Sequence, residues 1–136
     1  MDENQVIWQE LRTKQNNLDS LDERNRSIRQ QREKQFEDLQ QKRNQLLYMM
    51  EGKYQMMQHY LGQVDVDTTE ERARLNRIAS DFSQAVSIGF IRNQRALEQR
   101  IEKEEIEYRR ERRKLEEDID TLHRRKMKLD QEKKKG

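Results

Sequence analysis

No proline occurs anywhere in this 136-residue sequence. Only one short stretch, Gly62-Gln63-Val64-Asp65-Val66-Asp67-Thr68-Thr69, gathers residues that stop and restart helices. A chain free of strong helix breakers on both sides of a single break is built for two long helices. Gly62 suits a left-handed position closing the first helix. Asp67 or Thr68 can cap the second, with Glu70 and Glu71 placed for a capping box and for the positive end of the helix dipole. The expected fold is all-α: a long antiparallel helical hairpin, or coiled coil, forming a single domain over residues 1–136. Helix one covers about residues 3–61, the turn 62–67 and helix two about 68–133. A kink in one continuous rod is the other reading of the break. Gly52 and Gly89 also fall in helical territory, where each costs about 1 kcal/mol relative to Ala and marks a bend or a close helix contact.

The apolar residues repeat as a seam of uneven quality. In helix two, Ile101, Tyr108, Leu115, Leu122 and Leu129 recur every seven residues without a slip. Their companion seam positions are polar, including Glu104, Glu111 and Asp118, and a half-apolar seam makes a weak coiled coil. In helix one, Ile7, Leu11, Leu18, Leu21 and Ile28 begin a similar stripe, which shifts towards an eleven-residue spacing through Ile28, Leu39, Met50 and Leu61.

Composition narrows the functional classes. With 41% charged and 31% hydrophobic residues, the chain is too polar for a conventional multilayer core. Twenty-nine Lys and Arg stand against 27 Asp and Glu, interleaved along most of the length as on solvated helix faces laced by i,i+4 pairs. Absence of cysteine removes disulfides and thiolate metal sites. The longest apolar run, Leu46 to Met50, is five residues, against about 20 needed to span a bilayer. The opening MDENQVIWQELRTKQ is acidic where a signal peptide is basic. A soluble, cytoplasmic chain with no membrane insertion is the expectation.

No catalytic constellation is legible. The two histidines, His59 and His123, fall on different arms 64 residues apart, too far to share a metal. There is no Gly-rich phosphate loop and no nucleophile with a positioned base, and carboxylates on a wet helix surface have no desolvated pocket to shift them. No enzyme activity and no cofactor are expected. The segment Arg124 to Lys135 holds seven cations and two anions. That charge suits phosphate electrostatically, but lysines at a helix C-terminus also complement the macrodipole, and no base-reading motif accompanies them. Nucleic acid is not among the expected partners.

Apolar side chains concentrate beside the turn. Ten of the 16 residues from Leu46 to Leu61 and eight of the 14 from Ile78 to Ile91 are apolar or aromatic. Antiparallel pairing about residue 65 sets these segments against each other, and each is wider than a two-helix seam covers. A stripe that wraps beyond one face calls for a third helical surface. Met49, Met50, Met56 and Met57 offer flexible thioethers to such a surface, or pack within the hairpin or a self-association interface. The expected partner-binding core is Met50, Tyr54, Met57, Leu61, Phe82, Val86 and Phe90. Trp8, one step off the Ile7–Leu11 seam, has two readings: an interface anchor, or a cover for the hairpin end near Leu122.

The layout resembles the LXG-associated α-helical proteins, small helical partners of LXG toxins in Gram-positive type VII secretion. The resemblance runs through Phe36-x-x-Leu39, the Leu46-to-Tyr60 segment, the turn, and a charged helix carrying Lys114-Leu115-Glu116-Glu117-Asp118-Ile119 and ending in lysines. Met50-Glu51-Gly52 sits where a Trp-x-Gly would stand in related hairpins, without the tryptophan. The resemblance implies a bacterial cytoplasmic targeting chaperone. It would bind the helical N-terminal domain of a toxin, alongside a second small helical protein, and would be co-exported or left behind. The chain is also similar to the FliJ-like stalk of flagellar and type III secretion, which inserts into a hexameric ATPase ring. A homo-oligomer burying its patches as a four-helix bundle is the third reading.

Overall fold

A computed structural model describes residues 2–135 of the chain. Two α-helices account for nearly all of it: α1 over Glu3–Gln63 and α2 over Thr69–Lys135, with no strand among the described residues. The protein is an all-α helical hairpin, and its break falls where the sequence places it. Each helix runs two residues further at its C-terminal end than its spacing suggests, and α2 begins one residue later.

An aspartate side chain caps the start of each helix. At α1, the Asp2 carboxylate accepts the Gln5 amide at 2.8 Å and its carbonyl accepts the Val6 amide at 3.3 Å. Asp2 thus satisfies a donor that the first turn leaves orphaned. At α2, the Thr68 carbonyl accepts the Arg72 amide at 2.9 Å, which makes Thr68 the capping position by backbone geometry. The side-chain cap comes from Asp67, whose Oδ1 accepts the Thr69 amide at 3.1 Å and the Thr69 hydroxyl at 2.6 Å. These bonds, the hydroxyl's foremost, hold the Asp67 carboxyl below its ordinary range. The Thr68 hydroxyl is buried and turns back to the Leu61 carbonyl at 3.5 Å, one of the acceptors that the end of α1 leaves open.

One expectation at the turn is corrected. Gly62 does not adopt a left-handed conformation: it lies inside α1, and no described residue has positive φ. The chain leaves the helix one residue past Gln63 without needing glycine's freedom. Gly52 and Gly89 likewise mark no close helix contact, since a Cβ built on either meets nothing within 4 Å.

Contacts divide the chain into two compact units, each made of a piece of both helices. The terminal unit comprises Met1–Gln31 and Arg100–Gly136, and the turn unit comprises Arg32–Gln99. In the terminal unit, Ile7 is fully buried, with Leu18, Leu21 and Leu122 almost so. Burial of a side chain such as Ile7 contributes about 1.5–3 kcal/mol. The other members of the seven-residue repeat, Ile101, Tyr108, Leu115 and Leu129, are half-buried. Two of their polar companions find partners: Asp118 pairs with Lys14 across the hairpin at 3.2 Å, and Glu104 with Arg100 one turn away at 3.2 Å.

At the centre of this unit Asp22 of α1 meets two residues of α2. Its Oδ1 accepts the Tyr108 hydroxyl at 2.6 Å and the Arg112 Nε at 3.1 Å, while Oδ2 takes a longer contact from Arg112 Nη2 at 3.4 Å. Arg112 also pairs with Glu116. The Tyr108 bond, then Arg112, pull the Asp22 carboxyl below its ordinary value. Conversely, donation to a carboxylate raises the Tyr108 phenol, and the bond to Asp22 raises the Arg112 guanidinium. Arg29–Glu105 at 3.5 Å and Arg125–Glu3 at 3.9 Å add looser ion pairs across the same unit.

Candidate partner-binding surface

The turn unit buries less than its apolar content suggests. Leu61 and Leu97 are its buried hydrophobic residues, yet Tyr48, Met49, Met56, Met57, Tyr60, Val66, Ile78, Ile88 and Ile91 all stand exposed. A helix pair can enclose only one stripe from each helix. The side chains beyond that stripe remain in water and form the kind of apolar patch that marks an interface.

Part of the patch is concave. An open groove of about 390 Å³ runs between the helices, with Leu39 and Leu46 from α1 and Phe82, Val86 and Phe90 from α2 among its walls. Gly89 also lines it, so the missing side chain enlarges the groove where a methyl group would project. The Arg43 guanidinium lies 4.3 Å from the centroid of the Phe90 ring, a cation–π contact that holds the aromatic edge of the groove in place.

The seven residues read from the sequence separate into distinct roles. Phe82, Val86 and Phe90 line the groove. Met57 is exposed and Met50 half-buried. Tyr54 ties the helices together: its hydroxyl donates to Asn76 Oδ1 at 2.5 Å and accepts from Gln58 Nε2 at 2.6 Å. Leu61 is buried inside the hairpin, so it is a core residue rather than part of an open surface. Met49, Met56, Tyr60, Ile78 and Ile88 are absent from that set although each is more than two-fifths exposed. Their spacings of seven, four and ten residues are the signal in the sequence, because they place these side chains along the outer flank of the seam rather than in it.

A second groove, of about 500 Å³, lies in the terminal unit between Trp8, Leu11, Ile119 and His123. Trp8 is 60% exposed, with the Lys126 ammonium 4.9 Å from its ring centroid. It therefore leans on α2 through a cation instead of sealing the seam over Leu122. In the basic segment that follows, Arg124 pairs with Asp120 at 2.9 Å and Arg125 with Glu3. Three cations of that segment are thus engaged within the hairpin.

Among the described residues no group of three or more His, Asp or Glu side chains is gathered as a metal site, and no helix is long and apolar enough to cross a membrane. His59 makes a local contact, its Nε2 lying 3.0 Å from Gln63 Nε2. No protein-family model, curated protein or solved structure matches this chain.

Proposed function

We propose that this hairpin is a non-enzymatic adaptor whose turn unit holds a helix of a partner protein. The observation that carries the reading is the groove of Leu39, Leu46, Phe82, Val86 and Phe90, flanked by exposed methionine, tyrosine and isoleucine. A groove between two helices receives a third by taking its apolar ridge, and flexible Met-rich borders adapt to the ridge they meet. The terminal unit serves as a stem that fixes the helix pair through Ile7, Leu122 and the Asp22–Tyr108–Arg112 ties. The resemblance to LXG-associated proteins supplies the finer reading: a chaperone in the bacterial cytoplasm that delivers a toxin's helical N-terminal domain to type VII secretion.

A tagged pull-down of the full chain from its source cell, with mass spectrometry of what co-purifies, tests this reading. Recovery of a large protein with a helical N-terminal domain, together with a second small helical protein, is the expected result. Recovery of a ring ATPase instead would replace the adaptor with a stalk. Recovery of the chain with itself alone would make the groove a homo-oligomer core.

A further inference from the structure

Seven residues are buried among those described: Ile7, Leu18, Leu21, Leu61, Thr68, Leu97 and Leu122. Counted on one ideal helix numbered straight through the turn, they share a single face. Ile7 to Leu61 is 54 residues and Leu61 to Leu97 is 36, about 15 and 10 whole turns. Leu18, Leu21, Thr68 and Leu122 fall within about 40° of the same line. A hairpin makes no such demand, because its turn sets the rotation of α2 independently of α1. The seam is thus in phase across a segment that is not helical in the structure.

Little in that segment resists a helix. Val64 to Thr68 holds neither glycine nor proline, and no residue in it has positive φ. The turn rests on two side-chain contacts: the Asp67 cap at Thr69, and the Thr68 hydroxyl donating to the Leu61 carbonyl. The low helix preference of valine, aspartate and threonine adds to them. Straightening breaks these contacts but joins the open carbonyls at the end of α1 to the orphaned amides at the start of α2.

We infer that this chain exchanges helices with a second copy of itself: the turn straightens, and α1 of each copy pairs with α2 of the other. The ties Lys14–Asp118, Asp22–Tyr108 and Tyr54–Asn76 each join α1 to α2, so they re-form unchanged between copies. The matched phase lets one continuous helix turn all seven buried side chains to its partner. Out of phase, the seam of one helix would turn to water. A brake sits at the crossing point. The Tyr54–Asn76 register brings residue 65 of one copy to residue 65 of the other, so two Asp65 carboxylates meet there. That repulsion, the Asp67 cap and the short tether between α1 and α2 keep the hairpin as the main form in dilute solution. Exchange uses the seam and leaves the groove's occupant open, so it holds with or without an adaptor role.

The test gives the full chain a helix-forming turn of native length: Val64→Ala, Asp65→Ala, Val66→Ala, Asp67→Ala and Thr68→Ala. A second variant adds two alanines to that turn, which rotates α2 by about 200° relative to α1. The chain has no cysteine, so Lys14→Cys and Asp118→Cys are placed in separate copies of the parent and of each variant. The two copies are unfolded together and refolded at about 1 mM, the effective concentration of a short tether, then treated with a short bis-maleimide. Light scattering reads the mass, and circular dichroism verifies that each protein is helical. The native-length variant should be a dimer cross-linked between copies at positions 14 and 118. The parent should give the same cross-linked pair in lower yield, and the lengthened variant at least about tenfold less than the native-length one. A native-length variant that stays monomeric, equal dimer from both variants, a dimer without that cross-link, or no cross-linked pair from the parent overturns the inference.

Discussion

The terminal unit is the more polar half of this hairpin by sequence and the better closed in structure. The turn unit is the more apolar and the less closed. In the first, four hydrophobic side chains are buried and cross-helix pairs such as Lys14–Asp118 and Asp22–Arg112 occupy the seam margins. In the second, Leu61 and Leu97 are buried while Met56, Tyr60 and Ile78 stand more than half exposed. Apolar content therefore does not measure closure. Two helices can bury only the stripe each turns to the other, so further hydrophobic residues add exposed surface, not core.

The largest expected effect falls on the terminal seam. Ile7→Ala removes a fully buried side chain and should destabilise the hairpin by about 2–4 kcal/mol in chemical unfolding followed by circular dichroism. Met56→Ala, at a position 73% exposed, should stay within about 0.5 kcal/mol of the parent. Similar losses at both sites would erase the contrast between the units.

Binding should show the opposite sensitivity. Met56→Asp with Ile78→Asp is expected to reduce capture of the co-purifying partner at least about tenfold while leaving the unfolding midpoint nearly unchanged. If instead the helical signal collapses, those side chains belong to the hairpin's own core.

A smaller effect lies in the Asp22 cluster. Tyr108→Phe deletes one hydrogen bond at a half-exposed site and should cost about 0.5–1 kcal/mol. The cluster also sets a pH profile. Asp22 and Asp67 are depressed in the folded chain, so their contribution is present above the ordinary carboxylate range, about 4, and is lost as pH falls through the depressed values. Tyr108 is raised, so its contribution is present below about 10 and disappears as pH rises through the raised value. Midpoints measured across pH should form a plateau with two falling limbs. Asp22→Asn should flatten the alkaline limb while Asp67 keeps part of the acid one.

What was legible in the sequence follows from what one helix reveals by itself. The seven-residue repeat through Leu122, a break between Gly62 and Thr69, and a cap from Asp67 or Thr68 are all local patterns, and the structure contains each of them. Tyr108 read as a seam hydrophobe, and its bond to Asp22 stayed hidden, because pairing residues 86 apart requires the register of two helices to within a residue or two. The patch beside the turn was visible as a concentration of apolar residues. Which of them are spent inside the hairpin was not, since Tyr60 and Leu61 are neighbours in sequence and point to different sides of α1. Residue type alone points Gly62 to a left-handed turn, but a helix can also end beyond a glycine that stays helical. The smallest predicted effect follows from that correction: Gly62→Ala, with the nearest foreign atom at an ordinary 3.8 Å, should be neutral or stabilising by up to about 1 kcal/mol. Clear destabilisation would restore the left-handed turn.

Amide hydrogen exchange on the full chain, alone and bound to the partner that the tag captures, reads which unit the partner covers. Added protection is expected over residues 46–60 and 78–92, with the segments around Ile7, Leu21 and Leu122 unchanged. Added protection confined to the terminal unit, with the turn unit exchanging as it does alone, would contradict the turn unit as the binding surface.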